Sequence, residues 1–514
     1  MYFKVLMMLD SGCQIPDNKK KFSNLSIRHL VSGIWYLFLF LITQNLFAQT
    51  TENLLLKEIN TLAADPVLKY GQLAVSLRSL KTGQSVVAEN AVKNMAPASN
   101  LKLLTTAAAL GILGENYTFQ TLLEYDGELK DSILYGNLYI TGSGDPSLGS
   151  DRYKGFPAWE ELIGLWTKKI KEAGIKRVKG AVVADPTVFD QSPIPDPWPW
   201  GDIGNYYGAG VYGLNLNENL YRLYFKGTTE GDSAKLVRTS PTLTGVKFVN
   251  EVKTGPPASG DKAYVYAAPW ASRVYMNGTI PANADQFAVR GSVPDPPLLC
   301  ASLLSSALSA QNIAIEKSAY VLSQKKQTDL ARKLIYLYNS PPLKEIVKQT
   351  NVNSINLNAE ALLKTCGRKR FSDPKLDAGI KAIQEFWKQK GMDITGWFMY
   401  DGSGLSPNNG ISASQMSKAL YLISKDSVYN SFYASIPIAG QTGTVYRLGK
   451  GTAAEGNVRV KSGTLSKVIC YSGYVKSKSG EMYSFSILSS GYNCTNSAII
   501  GRLEKILVRM AEMP

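Results

Sequence analysis

The two ends of this 514-residue chain carry strand patterns that need partners, and a long stretch of different texture separates them. From Gln72 to Ala88 the alternating runs LAVSLRSL and QSVVAEN surround Lys81-Thr82-Gly83-Gln84 and spell a β-hairpin. Near the other end, strand patterns over 457–464, 468–475 and 482–489 precede a helical pattern over 497–510. A hairpin alone is marginal in water, so the N-terminal pair must join the C-terminal strands in one sheet. The fold class expected is therefore α/β, an α+β sandwich assembled from both chain ends, with the middle of the chain as an insertion.

Between the ends the pattern changes twice. After Pro97, Leu101, Leu103, Leu104, Ala107, Ala108 and Leu110 recur at helical spacing and stop at Gly114. From about 118 to 324 come short β-rich runs, SILYGNLYIT, VKGAVVAD, NLYRLYFKG and AYVYAAP, separated by Gly, Pro and Asp clusters, with one helix over 159–173. Helical periodicity returns from about Ser340. The expected division is a split domain of 49–118 and 325–514, with one or two mostly β accessory domains over 119–324.

Lys19, Lys20, Lys21 and Arg28 precede an apolar run from Ile34 to Phe47 that ends at Ala48, the layout of a secretory signal peptide over 1–48. Leu46 is large for its place before the cut, so an uncleaved anchor stays open, and Met7 or Met8 could be the start. The run is short for a membrane span, and no later stretch is apolar enough for one. Export to the periplasm, with no stable transmembrane segment after signal removal, is the expectation. The net charge of +15 suits an anionic envelope polymer, or simply solubility, because the cations are scattered. No basic-aromatic stripe suggests nucleic acid. Cys13 leaves with the signal; Cys300, Cys366, Cys470 and Cys494 show no metal spacing, and Cys470 and Cys494 either pair across a hairpin or stay free.

Three short motifs follow one another: Ser99-Asn100-Leu101-Lys102, Ser354-Ile355-Asn356 and Lys461-Ser462-Gly463-Thr464. The only histidine, His29, falls in the leader, so serine chemistry here must use lysine as its base. With Ser99 in the first turn of a helix, Lys102 lies one turn on and on the same face, and an amine among apolar walls can lose its proton. The alternative, an ordinary N-cap with a surface lysine, fits most isolated matches. Ser323 with Lys326 and Ser372 with Lys375 repeat the spacing without opening an apolar helix. Lys81-Thr82-Gly83 and Lys253-Thr254-Gly255 repeat the third motif, and turn chemistry accounts for both. The third motif itself ends an alternating strand, NVRVKSGTL, where Gly463 would admit a substrate backbone and the Thr464 N–H could hold an oxyanion. Asn356 is either a helix cap or part of the site.

The trio resembles the S-x-x-K, S-x-N and K-[ST]-G set of penicillin-binding proteins and serine β-lactamases. The long insertion, the phrase SINLNAEALLK, Tyr400-Asp401-Gly402-Ser403-Gly404-Leu405-Ser406, the KSGTL ending and Gly142-Ser143-Gly144-Asp145-Pro146 make the chain similar to class C low-molecular-mass D-alanyl-D-alanine carboxypeptidases/endopeptidases. It departs from that pattern at Ile355 and Ser462. The resemblance implies a β-lactamase/transpeptidase-like domain carrying inserted β-rich domains, acting on peptidoglycan stem peptides and acylated by β-lactam antibiotics. It implies Ser99 as nucleophile, Lys102 as base, Ser354 as proton shuttle, Asn356 as aligning group, and Lys461, Ser462, Gly463 and Thr464 around the substrate carboxylate, with no metal or cofactor. The competing readings are a catalytically weak wall-binding protein and an esterase or β-lactamase on the same scaffold.

Overall fold

The computed structural model describes residues 54–323 and 331–514. The expected leader, with His29 and Cys13, lies outside the described residues.

Helix α1 (54–63) precedes the hairpin β1 (Gln72–Ser79) and β2 (Ser85–Glu89). Helix α2 (Leu101–Leu113) follows, closed by Gly114 at φ +90° as its glycine stop implies. After the insertion come α3 (Leu343–Asn353), α4 (Asn356–Phe371) and α5 (Ala413–Ile423). Three strands, β3 (Val458–Leu465), β4 (Val468–Lys476) and β5 (Met482–Ser490), and helix α6 (Asn496–Glu512) end the chain.

The central sheet has the order β2-β1-β5-β4-β3, antiparallel throughout. Gln72 stands opposite Ser490 and Ser79 opposite Tyr483, so the two chain ends do share one sheet. Period-two alternation gives its faces different characters. On one face, Leu73, Val75, Leu77, Phe485 and Ile487 pack against Leu55 and Ile59 of α1 and against Ile499, Leu503, Ile506, Leu507 and Met510 of α6. Each such side chain buried contributes about 1.5–3 kcal/mol. The final helix is therefore a core element.

The opposite face is lined with serines. Ser76 Oγ meets Ser417 Oγ at 2.8 Å, Ser484 Oγ donates to Ser417 O at 2.9 Å, and Ser472 Oγ donates to Ser486 Oγ at 2.9 Å. Small side chains let α5 lie close to the sheet, and their hydroxyls satisfy one another. Asn100, just ahead of α2, donates from Nδ2 to Ser472 Oγ at 2.8 Å, which fixes the start of α2 over this face. Residues Leu101 to Leu110 of α2 are all buried, Lys102, Thr105 and Thr106 among them.

The middle of the chain builds separate sheets around two cores. Tyr320–Val321, Val182–Asp185, Leu138–Thr141, Gln120–Tyr125 and Lys333–Asn339 form one sheet in that order. Helices Trp159–Glu172 and Pro296–Ala310 share its apolar cluster. Nested inside it, strands between Leu220 and Ser292 enclose a second cluster that includes Leu223, Val265, Met276 and Val289. The boundary expected at 324 falls short, because Lys333–Asn339 pairs antiparallel with Gln120–Tyr125 and completes the edge of the inserted sheet. Lys253-Thr254-Gly255 is also not a turn: it is a strand parallel to Arg273–Pro281, and the prolines after it end the strand. Cys300, Cys366, Cys470 and Cys494 are all free thiols.

Candidate active site

The three motifs converge at the start of α2. Ser99 sits in a 3-10 turn, Ala98–Asn100, immediately before the α-helix, slightly upstream of the first-turn position expected. Ala98 adopts φ +47°, a left-handed conformation that costs a non-glycine residue about 1–3 kcal/mol and survives because its surroundings hold it. Lys102, one turn on, is fully buried. Its Nζ lies 2.9 Å from Ser99 Oγ, 2.5 Å from Asn356 Oδ1 and 2.7 Å from the Ser403 carbonyl. Burial pulls its pKa down to about 7, against the opposing charges of Asp401 and Glu360. A neutral amine there can donate to Asn356 and Ser403 and accept the Ser99 proton.

Ser354 lies between α3 and α4 at φ +58°, a second left-handed non-glycine residue. The bend aims its hydroxyl at Lys461, whose Nζ donates to Ser354 Oγ at 2.9 Å and to the Ser462 carbonyl at 2.7 Å. Lys461 is fully buried, and burial together with the Lys102 charge holds its pKa well below the usual lysine value. Asn356 is the first residue of α4 and not its cap. Its Oδ1 accepts from Lys102, and its Nδ2 donates to the Tyr207 carbonyl at 2.7 Å.

Strand β3 is an edge strand, so alternate backbone groups face away from β4 toward Ser99. Gly463 also has a protein neighbour of its own. A Cβ there would stand 2.7 Å from the Pro97 carbonyl and 3.0 Å from Ser99 N, so glycine lets β3 close on the nucleophile turn itself. Gly404, at φ +79°, closes the same turn from the other side, since its Cβ would lie 1.9 Å from Ala98 O. Ser462 Oγ meets Thr444 Oγ1 at 2.7 Å, and Thr464 is exposed at the mouth.

Several residues around this site carried no assigned role in the sequence. Glu360 and Lys364 continue from Asn356 as a buried stripe at four-residue spacing along α4. The Glu360 carboxylate accepts from Gly402 N at 2.9 Å and Ser403 N at 2.8 Å, aiming the Ser403 carbonyl at Lys102; burial raises its pKa. Asp401 accepts from Gly404 N, Ser406 N, Asn409 Nδ2 and Trp198 Nε1 at 2.6–2.8 Å. Lys364 donates to Asp190 Oδ1 at 2.5 Å and the Ser192 carbonyl at 2.8 Å. The inserted segment thus grips the site at three points, through Tyr207, Trp198 and Asp190. Its only sequence signal was acid in an apolar helical run and the Asp-Gly-Ser-Gly phrase.

Comparison with known proteins gives the same reading of the whole chain. Residues 55–510 match the D-Ala-D-Ala carboxypeptidase 3 (S13) family. The chain belongs to that family. It is 28% identical over 484 residues to a D-alanyl-D-alanine carboxypeptidase of Actinomadura sp. (strain R39), covering 90% of this chain and 85% of that one. It is 23% identical over 425 residues to the D-alanyl-D-alanine carboxypeptidase DacB of Haemophilus influenzae, covering 81% of this chain and 85% of the relative. The crystal structure of penicillin binding protein 4 (dacB) from Haemophilus influenzae shares its fold, with a TM-score of 0.73 and 22% identity over 86% of this chain and 95% of that chain. This S13-family enzyme is a serine-type D-Ala-D-Ala carboxypeptidase. Among the described residues no helix is long and apolar enough to cross a membrane.

Proposed function

We propose that the enzyme releases the terminal D-alanine from peptidoglycan stem peptides through an acyl-enzyme on Ser99. The observation that carries this is the 2.9 Å contact between Lys102 Nζ and Ser99 Oγ in a buried setting that brings the lysine pKa to about 7. Neutral Lys102 takes the hydroxyl proton as Ser99 Oγ attacks the carbonyl before the last D-alanine. The N–H groups of Ser99 and Thr464 hold the oxyanion. Ser354, hydrogen-bonded to Lys461, relays the proton taken up by Lys102 to the leaving amine, and the C–N bond breaks. Asn356 keeps Lys102 in place and aligns the substrate amide, while Lys461, Ser462 and Thr464 hold the terminal carboxylate. Water then cleaves the ester and restores Ser99.

The same chemistry on a cross-bridge amide is endopeptidase activity, and a β-lactam would acylate the same serine. Residues 1–48 act as a signal peptide in this reading and deliver the enzyme to the periplasm. Residues 54–118 and 340–513 form its catalytic domain, with 119–339 as the accessory part. Mass spectrometry after penicillin treatment tests the nucleophile: the adduct is expected on the peptide containing Ser99 and lost in Ser99→Ala. An adduct on another serine overturns the assignment. Product analysis on a D-Ala-D-Ala pentapeptide and on a cross-linked muropeptide separates the two activities.

A further inference from the structure

The nested β-rich part turns a row of aromatic rings outward, and that row begins at a residue that supports the site. On the strand Lys262–Tyr266, Tyr264 and Tyr266 face outward while Val265 between them is buried in the core. Tyr275 stands opposite Tyr266 on the neighbouring strand. Ring centroids lie 6.5 Å apart for Tyr264 and Tyr266, 5.8 Å for Tyr266 and Tyr275, and 6.5 Å for Tyr266 and Trp200. Trp200 is 58% exposed and Tyr264 48%. Exposed aromatic surface on this scale marks a contact site.

The row continues to the catalytic machinery. Tyr206 packs edge-on against Tyr207 at 5.3 Å, under the Arg290 guanidinium at 3.8 Å. Val265 N donates to Asn205 Oδ1 at 3.1 Å, which ties the turn carrying Tyr206 and Tyr207 to the strand of Tyr264, and the Tyr207 carbonyl holds Asn356. The carboxylates beside the row are occupied: Tyr207 donates to Asp202 at 3.0 Å and Tyr275 to Glu251 at 2.5 Å. What remains is a set of flat π-faces with phenol and indole rims. That chemistry suits pyranose rings, which present C–H faces to aromatics and hydroxyl and acetamido groups to polar edges.

We propose that this face binds the glycan strand from which the stem peptide hangs. The inference rests on the proposed substrate class, since a peptide seated at Asn356 brings its attached sugars past Tyr207. The aromatic face holds the polymer while Ser99 acts on one stem.

The test compares the full-length enzyme with Trp200→Ala/Tyr264→Ala and Trp200→Phe/Tyr264→Phe. Binding is read by tryptophan fluorescence and co-sedimentation with glycan strands stripped of peptide, and turnover on a free pentapeptide and on the same peptide attached to strands. The alanine pair is expected to lose at least about fivefold in strand affinity and to raise KM for the attached peptide by a like factor, with kcat kept. Its free-peptide turnover should stay within about twofold, and the phenylalanine pair should keep most of the binding. Equal strand binding by parent and alanine pair, or none by the parent, overturns the proposal. So does ring-dependent self-association in sedimentation without strand binding. A parent that binds strands but releases no D-alanine overturns the catalytic reading and leaves the glycan site standing.

Discussion

Lys102 and Lys461 are both fully buried in one site, yet their pockets differ in charge and in open hydrogen-bonding positions. Lys102 faces three protein acceptors, one for each proton an ammonium carries, with the Asp401 and Glu360 carboxylates behind them. Lys461 has two acceptors, a hydroxyl and a carbonyl, and the nearest charge acting on it is the like charge of Lys102. Burial pushes both amines toward neutrality, and the carboxylates decide where each stops. Lys102 is poised near neutral pH to accept a proton. Lys461 keeps a donor position open, and in the proposed mechanism a substrate carboxylate beside it favours uptake of a proton from solution.

The sharpest way to break this comparison is to fix both charges. Arginine stays protonated, so Lys102→Arg should slow penicillin acylation on the order of a thousandfold, while Lys461→Arg should lose only about ten- to a hundredfold. Equal acylation rates in the two variants would mean that the base is Lys461 acting through Ser354.

A smaller effect separates the carboxylates from burial. Acylation of the parent should climb with pH through about 7, as Lys102 gives up its proton. Asp401→Asn removes an anion that favours charged Lys102, so the climb should move to lower pH by roughly one unit. The same change leaves an amide against four donors and should cost about 2–3 kcal/mol of stability in denaturant unfolding. A climb displaced to higher pH would show that Asp401 does not act on Lys102 by charge.

Lys461 offers a finer measurement. Binding an acyl-D-alanine carboxylate should draw up to about one proton from solution, seen as a buffer-dependent enthalpy in calorimetry, because the carboxylate raises a pKa that the empty pocket depresses. Buffer-independent heat would indicate a lysine already charged before the ligand arrives. The smallest effect belongs to Trp198→Phe, which removes one donor to Asp401 while keeping the ring. Stability should fall by about 1.5 kcal/mol and acylation by less than about tenfold; an unchanged melting temperature would mean the indole contact contributes nothing to the Asp401 loop.

The hairpin, the helix over 101–113 and the apolar stripe of the last helix were legible because period and capping report which residues face a core. Period does not say which core. The pattern over 333–339 could not show that its partner is Gln120–Tyr125, and nothing local marked the nested cluster as separate from the one around it. The motif residues were legible by type and spacing. Their supports were not, because Glu360 gains meaning only from the Gly402 and Ser403 N–H groups, and Asp401 from the Trp198 indole, each brought from far along the chain. Gly463 was read as space for a ligand, and the close approach of the Ser99 turn gives a further reason for glycine that the strand pattern did not show.

The pairing of Gln72 with Ser490 also sets the order of events while the chain is being made. Ser99 and Lys102 leave the ribosome long before Lys461, and β1 waits until β5 has emerged. Closing so long a loop is slow, and it is the step that brings Ser472 to Asn100 and Lys461 to Ser354. An unfinished or C-terminally clipped chain therefore has a serine and a lysine but no assembled site.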